Sequence, residues 1–151
     1  MSVTRKASTI WNGSLFEGSG TVTFDSSHLG TYPVNWKARS EGSDNTTTPE
    51  ELIAAAHASC FSMALSNGLA QNGTPATELK TDAAVAFTPG VGITGSRLTV
   101  RAQVPGLSEE AFLAIADDAK ANCPVSKALG GVDITLDASL GSRKQRIPVA
   151  R

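Results

Sequence analysis

Cys60 and Cys123 are the only thiols in a chain of 151 residues, and they stand in unlike settings. Cys60 lies within "PEELIAAAHASCFSMALS", an Ala-rich stretch of helical character, with His57 at i−3 and Ala64 at i+4 on its face. A mid-helix thiol gains little from the macrodipole, which acts near helix ends. Apolar burial raises a thiol pKa. A reactive Cys60 therefore needs a cation from elsewhere, and Arg39 and His57 have the local context for it. Taken alone, a buried cysteine is more often a small inert hydrophobe. Cys123 in "NCPVSKAL" precedes Pro124, the expected first residue of a short helix. A thiolate there meets free backbone N–H groups and the positive dipole end. By local physics Cys123 is the more acidic thiol; read plainly, it is a partly buried cap residue.

Several chemistries use these groups. A Cys–His nucleophile needs a base within hydrogen-bond reach, and His57 with Cys60 offers one, as in an acyl transferase or hydrolase. A metal site built from His57, Cys60, Cys123 and a fourth ligand is a second arrangement. A redox pair, catalytic or sensing, is a third, and two inert thiols a fourth. Two cysteines do not make the disulfide framework of a secreted domain. His28, in "DSSHLGTYP", reads as a loop histidine at the surface. The chain holds no CxxC, HExxH, GxGxxG or P-loop.

The 13 basic and 14 acidic residues give a net charge of −1, which favours neither nucleic acid nor an anionic membrane surface. The chain is 40% hydrophobic, enough for a real core. No run is expected to reach the apolar length of a membrane span, and "MSVTRKASTIWNG" has no apolar h-region. The expectation is a cytoplasmic protein.

The elements that must position the thiols follow from pattern. β-rich segments over 6–13 and 20–25 flank the turn residues of "NGSLFEGSG", and 33–40 is expected to be a third strand. After the polar loop "EGSDNTTT", Thr48 as N-cap, Pro49 at N1 and Glu51 at N3 predict a capping box. The helix it opens is apolar nearly all round and is expected to be buried on most sides, ending near Asn72 and Gly73. Strands follow over 77–89 and 95–105; Leu98, Val100, Ala102 and Val104 share one face of the second. Ser108 caps a helix with an apolar stripe of Phe112, Ile115, Ala116 and Ala119. A short helix "PVSKAL" and a strand over 132–140 complete the order βββ-α-ββ-α-α-β. Strand groups separated by helices indicate an α+β fold. Residues 1–140 form one domain, and the basic tail 141–151 is expected to be solvated.

"PEELIAAAHASCFSMALS" with the distant "NCPVSKAL" resembles the OsmC branch of the OsmC/Ohr family of thiol peroxidases, and the likeness extends from "TIWNGSLFEGSGTV" through the last strand. It implies an intertwined homodimer, with curved antiparallel sheets around long buried central helices. It implies reduction of organic hydroperoxides in an antioxidant role under oxidative and osmotic stress. Cys60 would be the peroxidatic residue and Cys123 the resolving one. Arg39 would hold the Cys60 thiolate, and Glu50 would assist Arg39. The Cys60–Cys123 disulfide would be reopened by an external dithiol of the dihydrolipoyl type, with no metal or other cofactor. Phe61 and Met63 would line a pocket for bulky hydroperoxides; read plainly, both are core. Glu50 precedes Cys60 by ten residues, about 15 Å along a helix axis. A glutamate cannot span that distance, so a shared site would draw Glu50 from a second chain.

Overall fold

The computed structural model describes residues 1–141 of the chain, so the expectation for the basic tail falls, apart from Gly141, outside the described residues. The described residues form two compact units: residues 1–53 with 85–94, and residues 54–84 with 95–141.

The first unit is built on an antiparallel sheet of β1 (Ser8–Asn12), β2 (Ser19–Thr23) and β3 (Thr31–Val34), in that order. Gly20 faces Trp11 across the β1–β2 ladder. A Cβ there would stand 2.5 Å from the Ile10 carbonyl oxygen, so only glycine fits that close pairing. The expected strand over 33–40 is corrected. The strand stops at Val34 and the chain turns into the helix α1 (Trp36–Glu41). The reason is a cap: the Asn35 side chain accepts the Ala38 N–H at 2.8 Å. Lys37, Ala38, Arg39 and Glu41 then favour helix. Gly42, at φ 90°, ends it in a left-handed conformation. Arg39 thereby sits in the last turn of a helix rather than on a strand.

The long helix α2 (Pro49–Gln71) begins as expected, with Thr48 Oγ1 accepting the Glu51 N–H at 3.1 Å. The second half of the box differs: the Glu51 carboxylate accepts from the Thr47 hydroxyl at 2.6 Å. Two expectations about this helix are corrected. By length and composition alone it is apolar enough to cross a membrane. It is also not buried on most sides in the single chain. His57, Phe61, Leu65 and Leu69, four residues apart, form one wholly buried stripe, while Ala55, Ser59, Met63, Ser66 and Asn67 are exposed. Composition cannot separate a one-sided core helix from a span when the exposed face is itself Ala-rich.

The second unit holds the hydrophobic core. Phe61, Leu65 and Leu69 of α2 pack with Leu98, Val100 and Ala102 of the central strand and with Phe112 and Ala116 of α3 (Glu109–Asn122). Each large side chain so buried contributes roughly 1.5–3 kcal/mol. Its sheet has the order β4 (Glu78–Thr88), β5 (Gly92–Gln103), β6 (Asp133–Leu140). The expected face of β5 is the observed one: Leu98, Val100, Ala102 and Val104 are all buried. Ser108 caps α3 as expected, accepting the Ala111 N–H at 3.2 Å. The expectation of antiparallel pairing throughout is corrected at β6, which runs parallel to β5 with Leu98 opposite Leu136. A parallel neighbour requires a crossover. Helices α3 and α4 (Pro124–Ala128) supply it, and Cys123 sits at their junction.

Candidate active site

Cys123 does two jobs in the backbone. Its N–H donates to the Ala119 carbonyl at 2.9 Å, closing α3, and its carbonyl accepts from the Lys127 N–H at 3.0 Å, opening α4. Pro124 at N1 suits that start. The sulfur is fully buried. Burial pushes this thiol up, but other groups outweigh it and hold it below its ordinary value. These are the Ser126 N–H, the Cys60 side chain, the Ser126 hydroxyl and the Val125 N–H. The local argument for an acidic Cys123 thus meets the geometry that produces one.

Cys60 is half-buried and packs against the core cluster that includes Cys123, both thiols free. Its pKa is raised, first by burial and then by the neighbouring Cys123, against one lowering contact from the Val125 backbone. The two sulfurs share a site in which charge rests on Cys123 more readily than on Cys60.

His57 is fully buried one helical turn before Cys60. Nδ1 lies 2.6 Å from Ser96 Oγ of β5, and Nε2 lies 2.8 Å from Ser126 Oγ of α4. Burial lowers its pKa, so the ring is neutral near pH 7. Both nitrogens are engaged by hydroxyls, which leaves no free lone pair to take a proton from Cys60. This removes the support for a Cys–His nucleophile. Among the described residues, no group of three or more His, Cys, Asp or Glu side chains is placed to hold a metal ion.

In the first unit Arg39 and Glu50 are brought together directly. Nε and Nη2 of Arg39 donate to one Glu50 oxygen, at 2.9 and 2.8 Å. Glu50 is buried and the Arg39 side chain is partly exposed. The guanidinium also sits 4.2 Å from the centroid of Phe87, whose ring meets Trp36 edge-on. This cation–π contact and the ion pair fix the guanidinium plane. Beside Arg39 lies an apolar cavity of about 270 Å³, lined by Trp11, Leu15, Val22, Trp36 and Leu52 among others. Of the two residues expected to line a substrate pocket, Phe61 is corrected: it is wholly buried in the core. Met63 is exposed and borders an open groove with Ser66 and Leu79.

Sequence reasoning missed three participants. Ser126 had a signal, because it stands at N3 behind the Cys123 cap, from where a side chain reaches back to the cap. Phe87 and Ser96 had none, since each meets its partner only through tertiary folding.

An α+β fold with two small sheets and two neighbouring free thiols, one on a long helix and one at a crossover junction, defines a class of thiol protein. The family model described as "OsmC-like protein" matches residues 42–137, and the chain belongs to that family. It is 41% identical over 145 residues to the protein named "Peroxiredoxin OsmC" of Escherichia coli, covering 94% of this chain and 100% of that one. It is 34% identical over 97 residues to an "Organic hydroperoxide resistance protein" of Xanthomonas axonopodis, covering 60% of this chain and 65% of that one. The fold is that of an OsmC-like protein from Mycoplasma pneumoniae, with a TM-score of 0.72, 15% identity, and coverage of 94% and 100%.

Proposed function

We propose that this protein is a thiol-dependent peroxidase that reduces organic hydroperoxides to alcohols. The observation that carries the reading is the pair of free thiols, Cys60 packed against the core cluster that contains Cys123, with the Cys60 pKa raised and the Cys123 pKa lowered. The names of the relatives support the substrate class.

The Cys60 thiolate attacks the distal peroxide oxygen. The O–O bond breaks, and the departing alkoxide takes a proton and leaves as the alcohol. Cys60 is then a sulfenic acid. The Cys123 thiolate attacks the Cys60 sulfur, and hydroxide leaves and is protonated to water. A dithiol of the dihydrolipoyl type reopens the disulfide by two exchanges, becoming a disulfide itself. Each turnover converts hydroperoxide and dithiol to alcohol, water and oxidised dithiol. An acidic Cys123 suits this role, since a low-pKa thiol is a good leaving group when the disulfide is reduced.

The first step needs charge on Cys60, and the cation proposed to draw it there is Arg39, held by Glu50. The working unit is a homodimer, in which the Arg39–Glu50 pair of one chain serves the Cys60–Cys123 pair of the other. Support comes from exposed apolar surface: Met63 on α2 and Ile10 and Phe16 in the first unit are about 70% exposed, as expected of an interface between copies. The chemistry requires no metal or bound cofactor, and a dithiol-rich reducing cytoplasm suits it.

Consumption of cumene hydroperoxide, measured with dihydrolipoamide and with monothiols as reductants, tests the proposal. Turnover with the dithiol and its loss in Cys60→Ser are expected. Full activity in Cys60→Ser protein would refute the assignment. Stoichiometric oxidation without turnover by any dithiol would point instead to a redox sensor.

A further inference from the structure

Arg39 is held by two partners from different stretches of the chain, and only one of them bears a charge. Glu50 accepts from Nε and Nη2 on one carboxylate oxygen. Phe87, near the end of β4, lies against the guanidinium, with Cζ 4.2 Å from its ring centroid. We propose that Phe87 is a positioning residue for the reaction, holding the Arg39 guanidinium in one plane so that Nη1 is the edge presented to the reacting groups. That role rests on the function proposed above, in which Arg39 draws charge to Cys60; the pairing of Phe87 with Arg39 stands without it.

Both Glu50 bonds converge on one atom. Two oxygens would take the guanidinium as a fork and fix its plane. A single oxygen fixes the Nε–Nη2 edge in place but leaves the plane free to tilt about it. An aromatic face supplies the missing constraint, because the ring quadrupole attracts a cation lying over it. The ring that does so is itself held. Trp36 meets Phe87 with centroids 5.9 Å apart and planes at 90°, and Phe16 meets Trp36 at 5.7 Å and 85°. Trp36 and Arg39 stand three residues apart on α1, hence on one face of it. Just beyond Phe87, the Val91 N–H donates to the Thr88 carbonyl at 3.0 Å and closes the hairpin turn. All these residues belong to the first compact unit. With Nε and Nη2 taken by Glu50, Nη1 makes no hydrogen bond among the described residues, and the side chain is 30% exposed. The free edge is therefore the one a thiolate or a peroxide oxygen can reach. A leucine at 87 would keep apolar packing against Trp36 but offer the cation no face.

The test compares Phe87→Leu, which removes the face, with Phe87→Tyr, which keeps it, in the full chain. Nitrogen-15 NMR of the Arg39 Nε–H, assigned by its loss in Arg39→Lys, reads the stack directly. In Phe87→Leu this proton is expected to lose its ring-current shift and to exchange faster with water; in Phe87→Tyr it is expected to keep both. Single-turnover oxidation of Cys60 by cumene hydroperoxide is expected to slow about three- to tenfold in Phe87→Leu. Its pH–rate profile should move to higher pH by roughly half a unit, since a tilting cation holds the thiolate less well. Phe87→Tyr should recover both rate and profile, which a loss of packing alone would not predict. Should Phe87→Leu fail to fold, Phe87→Met takes its place, since it too lacks a ring face. An unchanged Arg39 signal in the variant without the ring would overturn the proposal. So would equal slowing in Phe87→Tyr, or a parent rate and profile in Phe87→Leu. A parent that does not oxidise Cys60 at all would end the peroxidase reading and the catalytic role with it, while the Arg39 signal would still decide the stack.

Discussion

Arg39 places two of its nitrogens on a single oxygen of Glu50, at 2.9 and 2.8 Å, within one chain. The pair joins the end of α1 to the first turn of α2, and its carboxylate is buried. An ion pair with one buried partner is costly to halve, because the remaining charge keeps its desolvation penalty. Arg39→Ala is therefore expected to destabilise the chain by about 1–3 kcal/mol, besides slowing peroxide attack. Arg39→Lys should recover part of the stability but less of the rate, having no planar fork to lie on Phe87. Urea unfolding and single-turnover kinetics on both variants separate the two effects. An unchanged Cys60 pKa in Arg39→Lys and Arg39→Ala alike would identify another cation as the activating one.

Cys123→Ser should still allow one oxidation of Cys60. Without a resolving thiol, the sulfenic acid persists and is open to further oxidation. Intact-mass spectrometry after graded hydroperoxide should show sulfinic and sulfonic forms of Cys60 at doses that leave the parent as a disulfide. Dithiol-supported turnover should stall. Equal turnover in the variant and the parent would remove Cys123 from the mechanism.

Mixing Cys60→Ser chains with Glu50→Ala chains tests the shared site. A heterodimer contains one site with Cys60 from the second chain and an intact Arg39–Glu50 pair from the first. Activity regained on mixing two weakly active homodimers is the expected result. A fully active monomer at low concentration would end the two-chain reading. Met63→Lys, on the exposed face of α2, should weaken association in sedimentation while leaving the intrachain core unchanged.

Acid stability should carry the signature of His57. Its pKa is lowered in the folded chain. Between that depressed value and the unfolded value near ~6.5, the unfolded chain binds more protons. Stability is therefore full above about 6.5 and falls as pH drops towards the folded value. Urea midpoints measured from pH 7.5 to 5 should decline less steeply in His57→Gln, which has no proton to gain; parallel slopes would show that other groups dominate.

What the sequence disclosed follows the range of the forces involved. The β5 face of Leu98, Val100 and Ala102 was legible because strand alternation is local, and the α3 start because Ser108 caps within three residues. The acidity of Cys123 was legible because its partners Val125 and Ser126 lie within three residues. α1 was missed because Pro33, Val34 and Trp36 favour extended chain, while one Asn35 side chain commits the backbone to a turn. The partners of His57 lie 39 and 69 residues away, beyond any spacing rule. The Arg39–Phe87 contact likewise depends on a hairpin tip packed by tertiary structure.

The two neighbouring thiols are 63 residues apart in the chain (123 − 60), Cys123 lying at the junction of α3 and α4 in the crossover to β6. That distance sets a clock during synthesis. At roughly 5–20 residues per second, about 3–13 s separate the emergence of the two cysteines. Through that interval Cys60 is a thiol with no partner. On the proposed chemistry, a nascent chain meeting peroxide has no internal route from sulfenic acid to disulfide, and Cys60 is open to irreversible over-oxidation. On that chemistry the newest copies of the protein would be the most easily lost, and pulse-labelled chains should show the over-oxidised mass before mature ones do.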